Sequence, residues 1–454
     1  MSVTTSYGIQ IKGSEYNKVL RETCEIYRRA VVFFINVCEK EWDCLSALKY
    51  RRVNNAIEDL TIRTKNRPHP RYCFEDAEKA FYKFPSYLRR SAISKAIGMV
   101  SSYRSNLKNW ESADEKTRGK RPRLPKEIRS LMPTMYRKAS YKRTDRFSAE
   151  IKVYVRNTWD FIEVPLDHSD VTYIEKHCRD RRESAPTIER KGKRWYLRFT
   201  YEEANPLCDI TDMGNVTILA VDLGINSACT CCVMRSDGTI LSRHSLKLRK
   251  EEDSLSHAVN KIKKVQQNGA RSCPKYWAAA NGINDDIAVK TANFIVDTAK
   301  TERVQVIVME HLDLKGKKGK GKKQRLHLWK SSYVQNMVTS KAHRAGIHVS
   351  HVCAWGTSNL AYDGSGKVLR GKDADLPSYS LCKFKTGKVY NCDLSASYNI
   401  GARYYIREIL KSKPERVRLQ LQAKVPATCK RSTCTLADLI SLNAELASMM
   451  ASSF

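Results

Sequence analysis

Apolar and polar positions divide this chain into three parts with different periodicities. Weak alternation over residues 3–12 predicts a first strand that ends at Gly13. From about residue 15 to residue 110, apolar residues recur at steps of three and four, most clearly in YNKVLRETCEIYRRAVVFFINVCEKEW. This spacing is typical of amphipathic helices, so the first part of the chain is predicted to be mainly helical.

A strand-rich part follows a basic linker. The segment KTRGKRPRLPK at 116–126 contains Pro and Gly and indicates a domain boundary near 115–130. Beyond it, FSAEIKVYVR, FIEVPL and APTIERKGKRWYLRFTYE read as strands, and Lys191-Gly192-Lys193 in the last of them indicates a hairpin turn. We expect residues 130–205 to form a small β domain, with the first strand as a candidate member.

The third part alternates strands with helices. VTILAVDL, CTCCVMRS and TILSRHSLKL predict three strands, and Asp237-Gly238 indicates a tight turn between the second and the third. A helical stretch, NDDIAVKTANFIVDTAK, leads to a fourth apolar run, VQVIVME. KSSYVQNMVTSKAHRAGI then predicts a helix, HVSHVCAW a fifth strand, and CDLSASYNIGARYYIREIL a long helix.

Three carboxylates stand at the ends of these elements. Asp222 ends the first strand, Glu310 ends the fourth, and Asp393 begins the last helix. Taken singly, they have ordinary explanations as a turn residue, a surface acid and a helix N-cap. A carboxylate at the end of a buried strand is costly, however, unless it is paired or metal-bound. Acids on two strands and one helix start are the layout of RNase H-like nucleases, whose two Mg²⁺ ions take hard oxygen ligands and promote phosphodiester cleavage.

Charge narrows the choice of partner. Lys and Arg total 81 against 48 Asp and Glu, a formal net charge of +33 that is spread along the whole chain. Distributed positive charge favours a long phosphate backbone as partner, with solubility charge or an anionic membrane surface as the alternatives. No stretch approaches the roughly 20 apolar residues of a membrane span, and the N-terminus lacks a signal-peptide layout. We therefore expect nucleic acid, and no membrane, as the partner.

The cysteines indicate a reducing compartment. There are 15 of them, an odd number, scattered through apolar and helical stretches. Reduced core residues fit this distribution better than disulfides. We expect a bacterial cytoplasmic protein that acts on nucleic acid.

The acidic motifs also resemble those of a known family. VDLGIN, VMEHLDL and CDLSASYNIGARYY are similar to the three RuvC motifs of TnpB proteins, which are transposon-encoded relatives of compact type V CRISPR effectors. The resemblance is strong over residues 210–410 and architectural before them. It implies a multidomain α+β chain with a helical recognition domain, a small β-barrel wedge domain and an α/β RNase H-like (RuvC) nuclease domain.

The implied domain boundaries follow the changes of periodicity. They are 1–14 for the first wedge strand, 15–128 for the helical domain, 129–212 for the β wedge domain, 213–424 for the nuclease domain with an insert at about 355–392, and 425–454 for a C-terminal helical tail.

The resemblance implies an RNA-guided DNA endonuclease. A guide RNA from the transposon end would pair with target double-stranded DNA beside a short flanking motif, with one chain per guide RNA. A single RuvC site would cut both strands, with Asp222, Glu310 and Asp393 as catalytic residues and as ligands of two Mg²⁺ ions, or of Mn²⁺. The candidate nucleic-acid contacts are Tyr82, Ser86, Tyr87, Lys120, Arg121 and Arg123.

Two of these expectations rest on sequence patterns that have a second explanation. Aromatic and basic residues mixed in FYKFPSYLRR suit base stacking with phosphate contact, and they suit ordinary helix packing equally. The Lys/Gly run at 315–323 is a solvated linker or a loop that faces nucleic acid, such as a lid over the acidic site.

The insert departs from the family pattern. Most TnpB proteins place paired CxxC motifs of a zinc ribbon between the second and third acids. Here TSNLAYDGSG has no cysteine, and the second pair leaves only Cys382, with Cys392 beside the third acid. His351 and Cys353 also lack zinc-ribbon spacing, so we expect no structural zinc. The aromatic residues expected to hold the insert by packing are Trp355, Tyr362 and Tyr390.

A second departure is Ser395, which stands where the family often has Asn. Several rival functions remain open: a compact type V CRISPR effector or an intermediate toward one, a guide-dependent DNA binder or repressor that does not cut, a DDE-type transposase, and a structural RNA-binding protein. The presence of all three acids argues against the non-cutting binder. Their RuvC-like spacing argues against the transposase.

Overall fold

The computed structural model describes residues 2–115, 118–136, 138–204, 207–208, 210, 212–224, 227–270, 272–312, 330–378, 380–430 and 432–451. The chain divides into two compact units, the first made of residues 4–203 and the second of residues 1–3 and 204–454. The Lys/Gly run at 315–323 lies outside the described residues. None of the described helices combines the length and the apolar character needed to cross a bilayer.

The helices of the first unit pack around one long amphipathic helix. Tyr27 on α1 is fully buried, and its hydroxyl lies 2.8 Å from Ser91 Oγ on α5. Sequence reasoning expected only strands over residues 130–205, yet α6 lies among them, capped by Asp167. The helices are α1 (Tyr16–Lys40), α2 (Trp42–Ser46), α3 (Tyr50–Thr61), α4 (Phe74–Ala77), a 3-10 turn (Lys79–Phe81), α5 (Ser86–Glu111) and α6 (His168–Cys178).

The strands of the first unit form two open sheets. In one sheet β7 pairs with β1, β5 and β6; the other has the order β2-β3-β4. The predicted hairpin is confirmed, because β6 and β7 are joined through Gly192, which has φ +60°. The strands are β1 (Ser2–Ile11), β2 (Tyr141–Arg143), β3 (Ser148–Val155), β4 (Thr158–Pro165), β5 (Arg182–Glu183), β6 (Thr187–Lys191) and β7 (Arg194–Ala204).

The expected small β-barrel is wrong for the described strands. The two sheets meet through isolated bridges, Ile11 with Leu166 and Thr134 with Thr187, and not through a continuous ladder. Helix α1 packs against β3, so a helix contributes to covering this sheet. Helix and strand residues of this unit therefore share one hydrophobic core.

The second unit is built on a five-stranded mixed sheet. The described strands have the order β10-β9-β8-β11-β12, in which β8, β9 and β10 are antiparallel and β8, β11 and β12 are parallel. The five strands that the sequence predicts for this part of the chain are all present. The strands are β8 (Thr217–Asp222), β9 (Cys229–Arg235), β10 (Ile240–Leu246), β11 (Val306–His311) and β12 (His348–Cys353).

Helices cover both faces of this sheet, which explains why its central strands are continuous apolar runs. Residues of α8 and α9, such as Ile295 and Val338, pack on one face, and residues of α10 and α12, such as Tyr405 and Leu439, pack on the other. The helices are α7 (Arg249–Gln267), α8 (Pro274–Thr301), α9 (Ser331–Arg344), α10 (Cys392–Ser412), α11 (Glu415–Lys424), a 3-10 turn (Pro426–Cys429) and α12 (Leu436–Ala451).

The insert folds as a small sheet with a core of its own. Strands β13 (Leu369–Arg370), β14 (Leu381–Lys383) and β15 (Val389–Asn391) pair in that order beside a 3-10 turn (Gly371–Ala374). Tyr362 and Tyr390 pack on this core as expected, with ring centroids 5.2 Å apart. The expectation for Trp355 is wrong, because 64% of this residue is exposed. Cys382, Phe384 and Cys392 fill the interior instead.

Candidate functional site

Asp222 and Glu310 stand at the same edge of the second unit's sheet. Strands β8 and β11 run parallel with Met309 opposite Val221, so the next residue of each strand is one of the two acids. Both are nearly buried, with 8% of Asp222 and 7% of Glu310 exposed. Glu310 is therefore not the surface acid of the ordinary explanation.

Asp393 comes to the site from the first turn of α10. Asn391 caps this helix, since its Oδ1 accepts a hydrogen bond from the backbone N–H of Leu394 at 2.9 Å. The ordinary explanation of Asp393 as the N-cap is thereby removed. The helix lies close to the sheet because Gly401 has no side chain: a Cβ there would stand 3.2 Å from the Cβ of Ala220 in β8.

The three acids influence one another electrostatically. Burial raises the pKa of Asp222 well above its ordinary value, and the negative charges of Glu310 and Asp393 raise it further. Arg370 in β13 acts in the opposite direction on the pKa of Asp222. Burial also raises the pKa of Asp393, against the charges of Arg370 and Lys247. The structure thus brings together the three acids that the sequence singles out, at a cost in charge repulsion that the nearby cations only partly offset.

Thr357 is a site residue that sequence reasoning missed. Its hydroxyl donates a hydrogen bond to Oε1 of Glu310. Burial raises the pKa of Glu310, and this hydrogen bond together with the charge of Arg403 works against that rise. The main chain of Glu310 is held as well, because Gln335 Nε2 donates to its carbonyl oxygen at 2.7 Å.

Three buried polar residues of α10, Ser395, Asn399 and Arg403, form a polar stripe, and the last two hold the segment that contains Thr357. Asn399 Nδ2 donates to the carbonyls of Thr357 (3.1 Å) and Leu360 (2.9 Å). Arg403 Nη1 donates to the carbonyls of Cys353 (2.7 Å) and Trp355 (2.8 Å). Two polar residues four positions apart on the apolar side of a predicted helix were the signal that could have found this role.

Ser395 begins the same stripe. It is 2% exposed, and its Oγ has no hydrogen-bond partner within the described part of the chain. The departure from the family's Asn thus leaves a buried hydroxyl without a partner, one turn before Asn399 on the same side of the helix.

The donor set suits a hard divalent cation. Buried carboxylates with raised pKa values lack compensating charge, and Mg²⁺ prefers carboxylate oxygens. In the arrangement described, however, no three His, Cys, Asp or Glu side chains among the described residues stand close enough to hold one ion. Oε1 of Glu310 is engaged by Thr357, and Arg370 supplies positive charge near the other two acids. The residues fit the metal by the chemistry of their donor atoms.

The six predicted nucleic-acid contacts all lie on the surface of the first unit. Tyr82 and Tyr87 are 61% and 47% exposed around the start of α5, and Ser86 is its first residue. Lys120, Arg121 and Arg123 follow α5 in an irregular segment, where the guanidinium of Arg121 lies 6.0 Å from the ring centroid of Trp110. Exposure leaves these residues available, and their role stays a prediction.

Comparisons with known proteins agree with this architecture. Residues 3–155 match the Aq_aa04 family. The uncharacterized protein aq_aa04 of Aquifex aeolicus (strain VF5) is 32% identical over 122 residues, which are 27% of this chain and 66% of that protein. The TnpB-like protein aq_aa05 of the same organism is 31% identical over 153 residues, 30% of this chain and 48% of that protein. The matches thus span about two thirds of one relative and about half of the other.

A solved structure shares the fold over most of the chain. The cryo-EM structure of a Cas12f1–sgRNA–target DNA complex superposes with a TM-score of 0.52, covering 85% of this chain and 82% of that one at 15% identity. The fold and the acidic site define a mixed α+β chain in which one unit carries three acids on a five-stranded sheet and the helix beside it. Part of the chain is similar in sequence to a TnpB-like protein, and its fold is similar to that of Cas12f1.

Proposed function

We propose that this chain is an RNA-guided DNA endonuclease that cuts both strands of its target at one RuvC-like site. The observation that carries the proposal is the meeting of Asp222 and Glu310 at adjacent strand ends, within electrostatic reach of Asp393. Buried acids of like charge destabilise a fold unless they serve a ligand. An acidic site in a chain of net charge +33 suits a cation-assisted reaction on a polyanion.

In this proposal Asp222, Glu310 and Asp393 hold two Mg²⁺ ions, for which Mn²⁺ can substitute. When bound, the metal supplies an activated water and stabilises the leaving oxygen of the phosphodiester. Thr357 keeps Glu310 oriented and favours its ionised form, and Arg403 fixes the main chain on which Thr357 stands. Arg370 limits the repulsion between Asp222 and Asp393.

The proposed partners are a guide RNA and target double-stranded DNA, with one chain per guide RNA. The Cas12f1 structure that shares the fold contains an sgRNA and target DNA. Base pairing would supply most of the sequence specificity, and exposed residues such as Tyr82, Tyr87 and Arg121 would contact the flanking motif. The proposed location is the bacterial cytoplasm, where such DNA is found. The insert needs no structural zinc in this proposal, because Cys382, Phe384 and Cys392 give it a packed core.

A guide-dependent DNA binder that does not cut is the second candidate. It is favoured by one observation, that no three His, Cys, Asp or Glu side chains in the described part of the chain are grouped around a common ion position. Both candidates predict a bound guide RNA, and they differ in whether phosphodiester bonds are broken.

The test begins with sequencing of the RNA that co-purifies with the chain. A Mg²⁺-dependent cleavage assay on a DNA library with a randomised flank follows, using the wild type, Asp222→Ala and a control, Asp297→Ala, in which an exposed acid is removed. Flank-dependent double-strand cuts that are lost only with Asp222→Ala support the endonuclease. A defined RNA without cleavage supports the binder, and the absence of any specific RNA contradicts both.

A further inference from the structure

Trp355 is an exposed aromatic residue that stands two positions before Thr357, the residue that contacts Glu310. With 64% of its surface exposed, it is the most exposed of the large apolar residues described. An indole ring left in water forgoes a large gain from burial, and such exposure is uncommon for Trp unless the ring meets a partner. Within the described residues, its ring has no aromatic, cation–π or hydrogen-bonding partner.

The main chain below this ring is fixed. Arg403, which is 3% exposed, donates to the carbonyl of Trp355 at 2.8 Å and to that of Cys353 at 2.7 Å. The next residue is Gly356, with φ +73°, and the Oγ1 of Thr357 then lies 3.1 Å from the carbonyl of Ala354. An exposed ring on an immobilised turn is pre-organised for binding, since little main-chain freedom is lost when a ligand stacks on it.

The same turn leads directly to Glu310. Strand β12 pairs with β11 so that Val352 stands opposite Glu310, and the chain leaves β12 at that edge of the sheet. Two residues beyond Trp355, Thr357 donates to the Glu310 carboxylate. Trp355 is therefore two residues away from the hydrogen-bond donor of a proposed catalytic acid.

A second exposed ring lies on α9, the helix that carries Gln335, although residues two positions apart on a helix point to different sides. Tyr333 on α9 is 43% exposed, and Lys330 Nζ lies 5.9 Å from its ring centroid. Two residues later, Gln335 donates to the carbonyl of Glu310. Aromatic rings accompanied by cations suit single-stranded nucleic acid, because every base presents a face for stacking and every phosphate a charge.

We propose that Trp355 is a nucleobase-stacking residue that seats one base of the single DNA strand entering the Asp222–Glu310–Asp393 site. The inference rests on the proposed function, since it takes DNA as the substrate of that site. Stacking of one base holds the adjoining phosphodiester in place without reading sequence.

The experiment separates base stacking from phosphate contact. In an Asp222→Ala background, which prevents cutting, the full chain with its co-purified RNA binds two fluorescently labelled probes: a short thymidine oligonucleotide and an abasic strand of equal length. Trp355→Ala is expected to weaken binding of the thymidine probe by about tenfold and to leave binding of the abasic probe unchanged. Trp355→Phe, which keeps a ring, should stay within about threefold of the parent. Leu419→Ala, which removes a side chain of similar exposure on α11, is the control.

Each outcome bears on one proposal. If Trp355→Ala weakens binding of both probes equally, or of neither, the stacking role of Trp355 is overturned. Cleavage assays of Trp355→Ala in the otherwise wild-type chain are read separately. If the wild type cuts and Trp355→Ala binds the thymidine probe normally, the inference fails and the endonuclease stands. If no variant cuts and base-dependent binding still requires Trp355, the endonuclease fails and the stacking role stands.

Discussion

The hydroxyl of Thr357 donates a hydrogen bond to Oε1 of Glu310. This bond favours the ionised carboxylate and works against the rise in pKa that burial causes. A residue 47 positions farther along the chain thus helps to decide whether Glu310 is charged at neutral pH.

Replacing Thr357 with Val should raise the pKa of Glu310, because the hydrogen bond is lost and the burial remains. The acid limb of the cleavage-rate profile should move to higher pH, and the rate at pH 7 should fall by about tenfold or more. Thr357→Ser restores the donor and should restore the profile. An unchanged acid limb in Thr357→Val would show that Glu310 does not limit the reaction.

Replacing Asp222 with Asn should stabilise the chain in EDTA at pH 7. Burial and the charges of Glu310 and Asp393 raise the pKa of Asp222, so its contribution to stability is fully present below its ordinary pKa of 3.8 and is lost as the pH rises through the folded-state pKa. The melting temperatures of the two chains should therefore converge below about pH 4. The measurement is a thermal melt of each chain over this pH range.

Mg²⁺ should reverse the order of stability at neutral pH. A ligand that binds only the folded chain raises its melting temperature, so the wild type should gain stability in Mg²⁺ and Asp222→Asn should gain much less. Equal responses of the two chains would argue against metal binding at this acid.

Replacing Gly401 with Ala should destabilise the second unit. The new Cβ would lie 3.0 Å from the end of the flexible Met234 side chain and 3.2 Å from the Cβ of Ala220, which cannot retreat without moving β8. Overpacking of this kind costs about 1–3 kcal/mol, and it shifts the helix that carries Asp393. The free energy of unfolding of the double variant Ala220→Gly, Gly401→Ala should show coupling between the two changes, whereas additive losses would place the strain elsewhere.

Replacing Asp167 with Ala should destabilise the first unit in a pH-dependent manner. Asp167 pairs with Lys12 and caps α6, accepting from the N–H groups of Ser169 (3.0 Å) and Asp170 (3.1 Å). The Lys12 contact, followed by the Ser169 contact, lowers the pKa of Asp167 below its ordinary 3.8. Its stabilising effect is therefore present above pH 4 or so and is lost as the pH falls through the lowered pKa.

The expected loss for Asp167→Ala is about 1–2 kcal/mol at pH 7 and less toward pH 2. Thermal melts of the two chains over this range provide the measurement. Asp167→Asn keeps the cap and loses only the ion pair, so it should lie between them. If the difference in melting temperature does not change with pH, the loss comes from capping alone.

Short-range patterns predicted much of the second unit. The strands β8, β9, β10 and β11 and the helix that begins near Asp393 follow from apolar runs, a DG turn and helical spacing, all of which are visible within about twenty residues. The meeting of Asp222 with Glu310 follows as well, since parallel neighbours place their ends at one edge.

Flanking strand signals and long-range contacts account for what the sequence did not reveal. Helix α6 was missed because strand signals flank it on both sides, although Asp167 supplies a good N-cap. Thr357 and Arg403 act through hydrogen bonds to distant segments, which no local pattern reports. The prediction that Trp355 packs inside the insert was wrong for the same reason. An aromatic residue in a short insert is expected in the core unless its surroundings are known.

The residues of the acidic site are synthesised at different stages of translation. Asp222 and Glu310 leave the ribosome before Asp393, and Asn399 and Arg403 take Leu436 N and the Cys434 carbonyl as further partners. A chain interrupted before these positions would hold two of the acids without the third or without its supports. The acidic site is therefore completed only when the C-terminal part of the chain has been synthesised.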